Sequence, residues 1–169
     1  AAHYASKTLQ EVGATLMAAL PAPAFGVAYG GDEFVMVLPG FDKQQALEMA
    51  ERLGAVDVQV DTLATIGLLP DKDPETGLQV LTKAVEIAES AELLSQAARA
   101  HTNLAALLVN RIQDFQTARD HYRRSAALRQ LRGSRAGELI GLGGVAEVSL
   151  YLGDLDGTQA TIPILRQLI

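Results

Sequence analysis

The sequence predicts two segments: an α+β segment over 1–72, followed by an all-α array of helical hairpins over 73–169. Three observations carry that reading. Gly30-Gly31 sits between two short apolar runs, Val27-Ala28 and Val35 to Leu38, which is the pattern of a β-hairpin. Beyond Pro74, leucines and alanines recur at helical spacing almost to the end of the chain. Within that helical segment a single pattern of small and apolar residues comes round twice.

The composition bounds the rest. At 169 residues the chain makes one domain or two small ones. Hydrophobic residues reach 49% while aromatics are 5%, and Leu and Ala dominate, which favours helices packed closely together. A net charge of -6 argues against general nucleic-acid binding. The absence of cysteine excludes a disulfide framework and a thiolate zinc site, and it fits a cytoplasmic setting. No apolar run approaches the length of a membrane span, and no signal peptide is visible, so no membrane partner is expected. The chain starts without Met and ends on Leu168-Ile169, and the expectation is a fragment of something longer.

Leu9, Val12, Leu16 and Leu20 predict an amphipathic helix over 5–20, ended by Pro21 and Pro23. The hairpin follows over 25–38, and Pro39-Gly40 turns the chain. Asp42 is placed to cap a helix over 43–53 that buries Ala46, Leu47, Met49, Ala50 and Leu53, with Gly54 closing it. Val56, Val58 and Val60 then alternate, and Leu63 to Leu68 run on apolar. That stretch, 55–69, reads as one or two strands. Pro70 to Pro74 is a polar break.

Five apolar stripes fill the helical segment. They run through Leu78, Leu81, Val85 and Ala88, then Ala97, Ala100, Leu104, Leu107 and Leu108, then Phe115, Ala118, Tyr122, Ala126 and Leu128. Leu139, Leu142, Val145, Val148 and Leu152 make the fourth, and Leu155, Ile162 and Leu165 the fifth. Ala105-Ala106, Asp114-Phe115 and Ala118 return as Val145-Ala146, Asp154-Leu155 and Thr158. Small residues in a first helix let a second approach, and an Asp-apolar turn starts that second helix. This segment resembles a tetratricopeptide array with units longer than usual. A helix over 77–92 fits either as the second helix of a preceding unit or as the last helix of the α+β segment; the repeat assignment is the better one.

Tyr29-Gly30-Gly31-Asp32-Glu33-Phe34, with Val35 to Gly40 and Ala46, Ala50, Glu51, Arg52 and Leu53 downstream, resembles the GGDEF family, the diguanylate cyclases. The resemblance implies a nucleotide-cyclase-like sheet with helices that holds GTP with Mg²⁺ or Mn²⁺ and works as a homodimer. Asp32 and Glu33 would be the metal and catalytic carboxylates, and Gly30 and Gly31 would let the backbone approach the phosphates. Thr65-Ile66-Gly67 falls where the family has a Ser-Ile-Gly strand. The chain departs from the family in its first half, because nothing before residue 29 supplies the other metal-binding Asp or the guanine-reading pair. The inhibitory product site would fall on Pro21 and Ala24, which cannot serve. A module truncated in this way is not expected to be catalytic as it stands, although a complete parent protein could be.

Other candidates have bland explanations. Gly141-Leu142-Gly143-Gly144 lies within a helical stripe and reads as close helix packing rather than as a phosphate loop. His3, His101 and His121 lack metal-ligand spacing and read as surface or packing residues. Seven arginines make 111–135 locally basic. The plain reading is a solvated helical face, and the functional one is a dock for an acidic partner segment through Arg119, Arg123 and Arg124. The expected function is therefore bacterial cyclic di-GMP signalling, with the remnant joined to a protein-interaction array. The alternative is an interaction scaffold in which the remnant is purely structural.

Overall fold

In a computed structural model of the chain, the described residues are 14, 18, 20–28 and 34–168. The chain divides into two compact units, Ala1–Ala55 and Val56–Ile169.

In the first unit, β1 (Phe25–Ala28) and β2 (Phe34–Val37) pair antiparallel, with Phe25 opposite Val37 and Ala28 opposite Phe34. Residues 29–33 connect them in sequence and lie outside the described residues, so Gly30, Gly31, Asp32 and Glu33 do too. The helix expected over 5–20 is described only at Ala14 and Ala18, both helical. Helix α1 (Lys43–Leu53) begins at the expected cap. Asp42 accepts from the Gln45 backbone N–H at 2.8 Å, and the Gln45 side chain accepts from the Asp42 N–H at 2.9 Å. Gly54, at φ 67°, ends the helix in the left-handed conformation that glycine adopts without strain. Leu47, Met49 and Ala50 form its buried side.

The second unit is helical throughout its regular structure. It contains α2 (Val56–Ile66), α3 (Pro74–Ser90), α4 (Leu94–Leu107), α5 (Phe115–Leu131), α6 (Arg135–Tyr151) and α7 (Leu155–Leu168). Helix α4 runs on into a π-helical turn, Leu108–Ile112. Each helix packs against the next, and α2 also touches α4.

These elements overturn the α+β reading of residues 1–72. Among the described residues, β structure is confined to the two four-residue strands, and the expected strands over 55–69 are the helix α2. Three alternating valines suggested a strand, but Val60, Leu63 and Ala64 share a helical face and are 0%, 3% and 0% exposed, whereas Val56 and Val58 stand in solvent. Thr62 and Thr65 each hydrogen-bond the carbonyl four residues back, at 2.7 and 2.8 Å, bonds that only a helical backbone offers. There is accordingly no Ser-Ile-Gly-type strand at Thr65-Ile66-Gly67. Helix α3 packs between α2 and α4, so it belongs to the helical array.

The array is three hairpins, α2–α3, α4–α5 and α6–α7, built on one local device. Asp73, Asp114 and Asp154 each precede a second helix and accept a backbone N–H three residues on, from Thr76, Thr117 and Gly157, at 2.9, 3.1 and 2.8 Å. The fourth residue past each Asp is small and buried (Gly77, Ala118, Thr158), which lets the first helix of the hairpin come close. The reversals match as well. Gln113 and Gly153 have φ of 64° and 72° just before their capping Asp, and Glu92 and Gly133 have φ of 55° and 68° between hairpins.

The two later hairpins differ by one residue, since Leu93 to Asp114 is one longer than Ser134 to Asp154. The π turn absorbs it, because a wider turn accommodates an inserted residue without shifting the helices on either side. Arg111, within that turn, reaches back to the Leu69 and Lys72 carbonyls at 3.3 and 2.6 Å and ties down the α2–α3 loop.

The glycine run of α6 does what close packing requires. Gly141 faces the Ala126 backbone and Gly144 faces the Tyr122 ring, each too near for a Cβ, whereas a Cβ on Gly143 would meet nothing within 4 Å. The fifth stripe departs from expectation: Thr158 and Thr161 are the buried residues of α7, while Leu155 and Ile162 are 63% and 40% exposed.

Candidate functional site

The capped hairpins position an open cavity of about 300 Å³ at the second unit's α3–α4 reversal. Ala88 and Ala97 line it as small, buried residues, Leu93, Leu94 and Leu128 add apolar surface, and Glu89, Glu92 and Arg124 supply the charge. The small side chains make the space, because α3, α4 and α5 approach one another where alanines leave room. Leu93 N–H bonds the Ala88 carbonyl at 2.9 Å and fixes the reversal that brings Glu92 to the rim. The cavity can take one apolar side chain and oppose a polar neighbour with its charged groups.

Four side chains form a chain of contacts at its edge. Arg124 on α5 donates from Nε to Oε1 of Glu89 on α3 at 3.0 Å, and its Nη2 lies 2.9 Å from the same oxygen. Glu89 also lies 3.4 Å from His101 Nε2, and His101 Nδ1 lies 2.8 Å from His121 Nδ1. Burial works against a charge on Glu89, but its bonds from Arg124 and His101 outweigh that and hold its carboxyl below the ordinary range. Burial lowers the pKa of both histidines, against the pull of Glu89 on each. Their spacing in sequence suggested a surface or packing role for these two histidines. They do pack, but as a hydrogen-bonded pair; residues 20 apart on different helices leave no local pattern that would disclose it. Among the described residues, no group of three His, Cys, Asp or Glu side chains is placed to hold a metal ion.

The three arginines expected to dock a partner take separate positions. Arg119 is 13% exposed and donates to Asp154 at 2.7 Å, which ties α5 to the start of α7. Arg123 is exposed beside Asp120 at 3.4 Å. Arg124 alone of the three lines the cavity. The signature residues Gly30, Gly31, Asp32 and Glu33 lie outside the described residues.

No protein-family model matches the sequence, and no curated protein matches it. Among solved structures, the chain is similar to the crystal structure of the TPR domain of Arabidopsis FLU, with a TM-score of 0.52 at 19% identity. The match covers 75% of this chain and 96% of that one. The fold is tetratricopeptide-like. Such low identity speaks to the fold alone, and it agrees with three stacked hairpins of the second unit. The GGDEF resemblance finds no counterpart in these comparisons. No described helix is long and apolar enough to cross a membrane.

Proposed function

We propose that this chain is a protein-interaction array whose tetratricopeptide-like hairpins present a docking cavity for one apolar side chain of a partner. The observation that carries the reading is the 300 Å³ space at the α3–α4 reversal, apolar in its lining and edged by Glu89, Glu92 and Arg124. Stacked hairpins are a rigid support for such a surface, because each helix is held by its neighbours. The scaffold role therefore takes precedence over cyclic di-GMP signalling.

Selection of displayed peptides against the full chain tests this, followed by calorimetry of the enriched sequences. The expected result is a common apolar anchor whose affinity falls at least about tenfold in Leu94→Glu, which puts a charge at the cavity wall. Enriched peptides indifferent to Leu94→Glu would move the site elsewhere, and no enrichment at all would overturn the interaction reading.

A nucleotide role for Gly30, Gly31, Asp32 and Glu33 rests on their sequence and on their place between the paired strands β1 and β2. Titration with GTP and Mg²⁺ or Mn²⁺ tests it, with Asp32→Ala and Glu33→Ala as controls. Saturable binding lost in both variants supports the role, and no binding at millimolar GTP removes it.

A further inference from the structure

We propose that His101 and His121 form an acid-released latch between α4 and α5 that holds the charged rim of the neighbouring cavity. The proposal rests on reading that cavity as the partner site, and it concerns how the site is regulated.

The contact has a definite direction. A carboxylate only accepts hydrogen bonds, so the His101 Nε2 that faces Glu89 carries the hydrogen. His101 Nδ1 is then a bare acceptor, and the Nδ1–H of His121 donates to it across 2.8 Å. Donation runs from His121 to His101 to Glu89, and Arg124 donates to the same Oε1 of Glu89 that faces His101.

This direction separates the effects of two protons. The open ring nitrogen is His121 Nε2, and a proton there leaves the contact intact. The second proton has one place left, His101 Nδ1, where it would point at the N–H of His121. Two cationic rings cannot keep a 2.8 Å approach, and His101, 5% exposed, is too buried for solvent to stabilise the added charge. The contact between the two rings must then break, which unfastens α4 from α5 beside Glu89 and frees that wall of the cavity to rearrange about Arg124.

The charged groups acting on the two rings are Glu89 from α3, Arg124 and Asp120 from α5, and Asp114 at the start of α5. Glu89 is the only acidic group among these that bonds a ring, and Arg124 already engages it. No second carboxylate among them is in bonding contact to compensate the second cation.

The test uses the full chain without any partner. Side-chain nitrogen NMR from about pH 8 to about pH 4.5 follows both rings. A fluorophore on Glu92→Cys reports the cavity rim, and the cysteine-free sequence makes that label unique. The expected result is two separated protonation steps, His121 first, with the rim signal changing only at the second. In His121→Asn, an amide N–H replaces the donor and does not titrate, and the rim signal should lose its acid step. Rings that titrate independently, or an unchanged acid step in His121→Asn, would overturn the latch. Failure of the partner reading is seen separately, in the Leu94→Glu binding experiment at constant pH.

Discussion

The ring of Tyr122 packs against Gly144, so near that a Cβ on Gly144 would fall 2.5 to 2.6 Å from three ring atoms. One residue earlier, Gly143 opens onto free space. Neighbouring glycines in one helix therefore make opposite predictions. Gly144→Ala forces α5 and α6 apart and should cost about 1–3 kcal/mol, more than the helix-propensity gain of about 1 kcal/mol. Gly143→Ala should stabilise by up to about 1 kcal/mol. Urea unfolding monitored by circular dichroism should show midpoints moving in opposite directions.

Asp154 combines two roles that Asp114 does not. Asp114→Ala removes a helix cap and should cost about 1 kcal/mol. Asp154→Ala removes a cap and also the partner of Arg119, a mostly buried cation, and should cost about 2 kcal/mol, moderated by the partial exposure of the carboxylate. Asp154→Asn keeps an oxygen for the cap and isolates the charge. Its loss should vanish in an Arg119→Leu background, which a double-mutant cycle measures.

Acid should weaken the caps in a defined window. Hydrogen bonds from Thr76 and Thr117 hold the carboxyls of Asp73 and Asp114 below the ordinary aspartate value of 3.8. The unfolded chain then takes up protons before the folded one, so the cap contribution is complete above that value and is lost as pH falls through the lowered folded values. A doubly substituted Asp73→Asn, Asp114→Asn chain should show a flatter acid limb in a plot of unfolding free energy against pH. An unchanged limb would place acid sensitivity elsewhere.

Gln113 adopts a backbone conformation that Gly153 fills in the next hairpin. Gln113→Gly should stabilise the chain by a few tenths to about 1 kcal/mol, the relief of left-handed strain exceeding the entropy that glycine adds to the unfolded chain. Glu92→Gly, at the position matching Gly133, is the companion test. Thermal unfolding of the two variants decides it, and a lower midpoint in both would contradict the strain argument.

Local chemistry was legible and contact between distant residues was not. Asp42 and Gly54 announced α1 because capping depends on residues within one turn. The returning Asp-apolar pair at Asp114 and Asp154 announced the hairpins for the same reason. Val56 to Val60 misled because three β-branched residues in alternation satisfy a strand pattern, while the helical face of Val60, Leu63 and Ala64 extends beyond that window. Arg119 looked like a member of a basic surface, since nothing nearby in sequence reveals that Asp154 folds over it. The His101–His121 pair and the cavity beside it depend on how α3, α4 and α5 meet, which a one-dimensional pattern does not record.

Packing in the second unit runs mainly between helices adjacent in sequence. An assembly held together in this manner resists a stretching force link by link. Drawn out from residue 168 in an optical trap, it should peel α7 from α6 first and then give way in successive steps, producing a sawtooth of short extensions. Each rupture would leave the hairpins nearer α2 still folded.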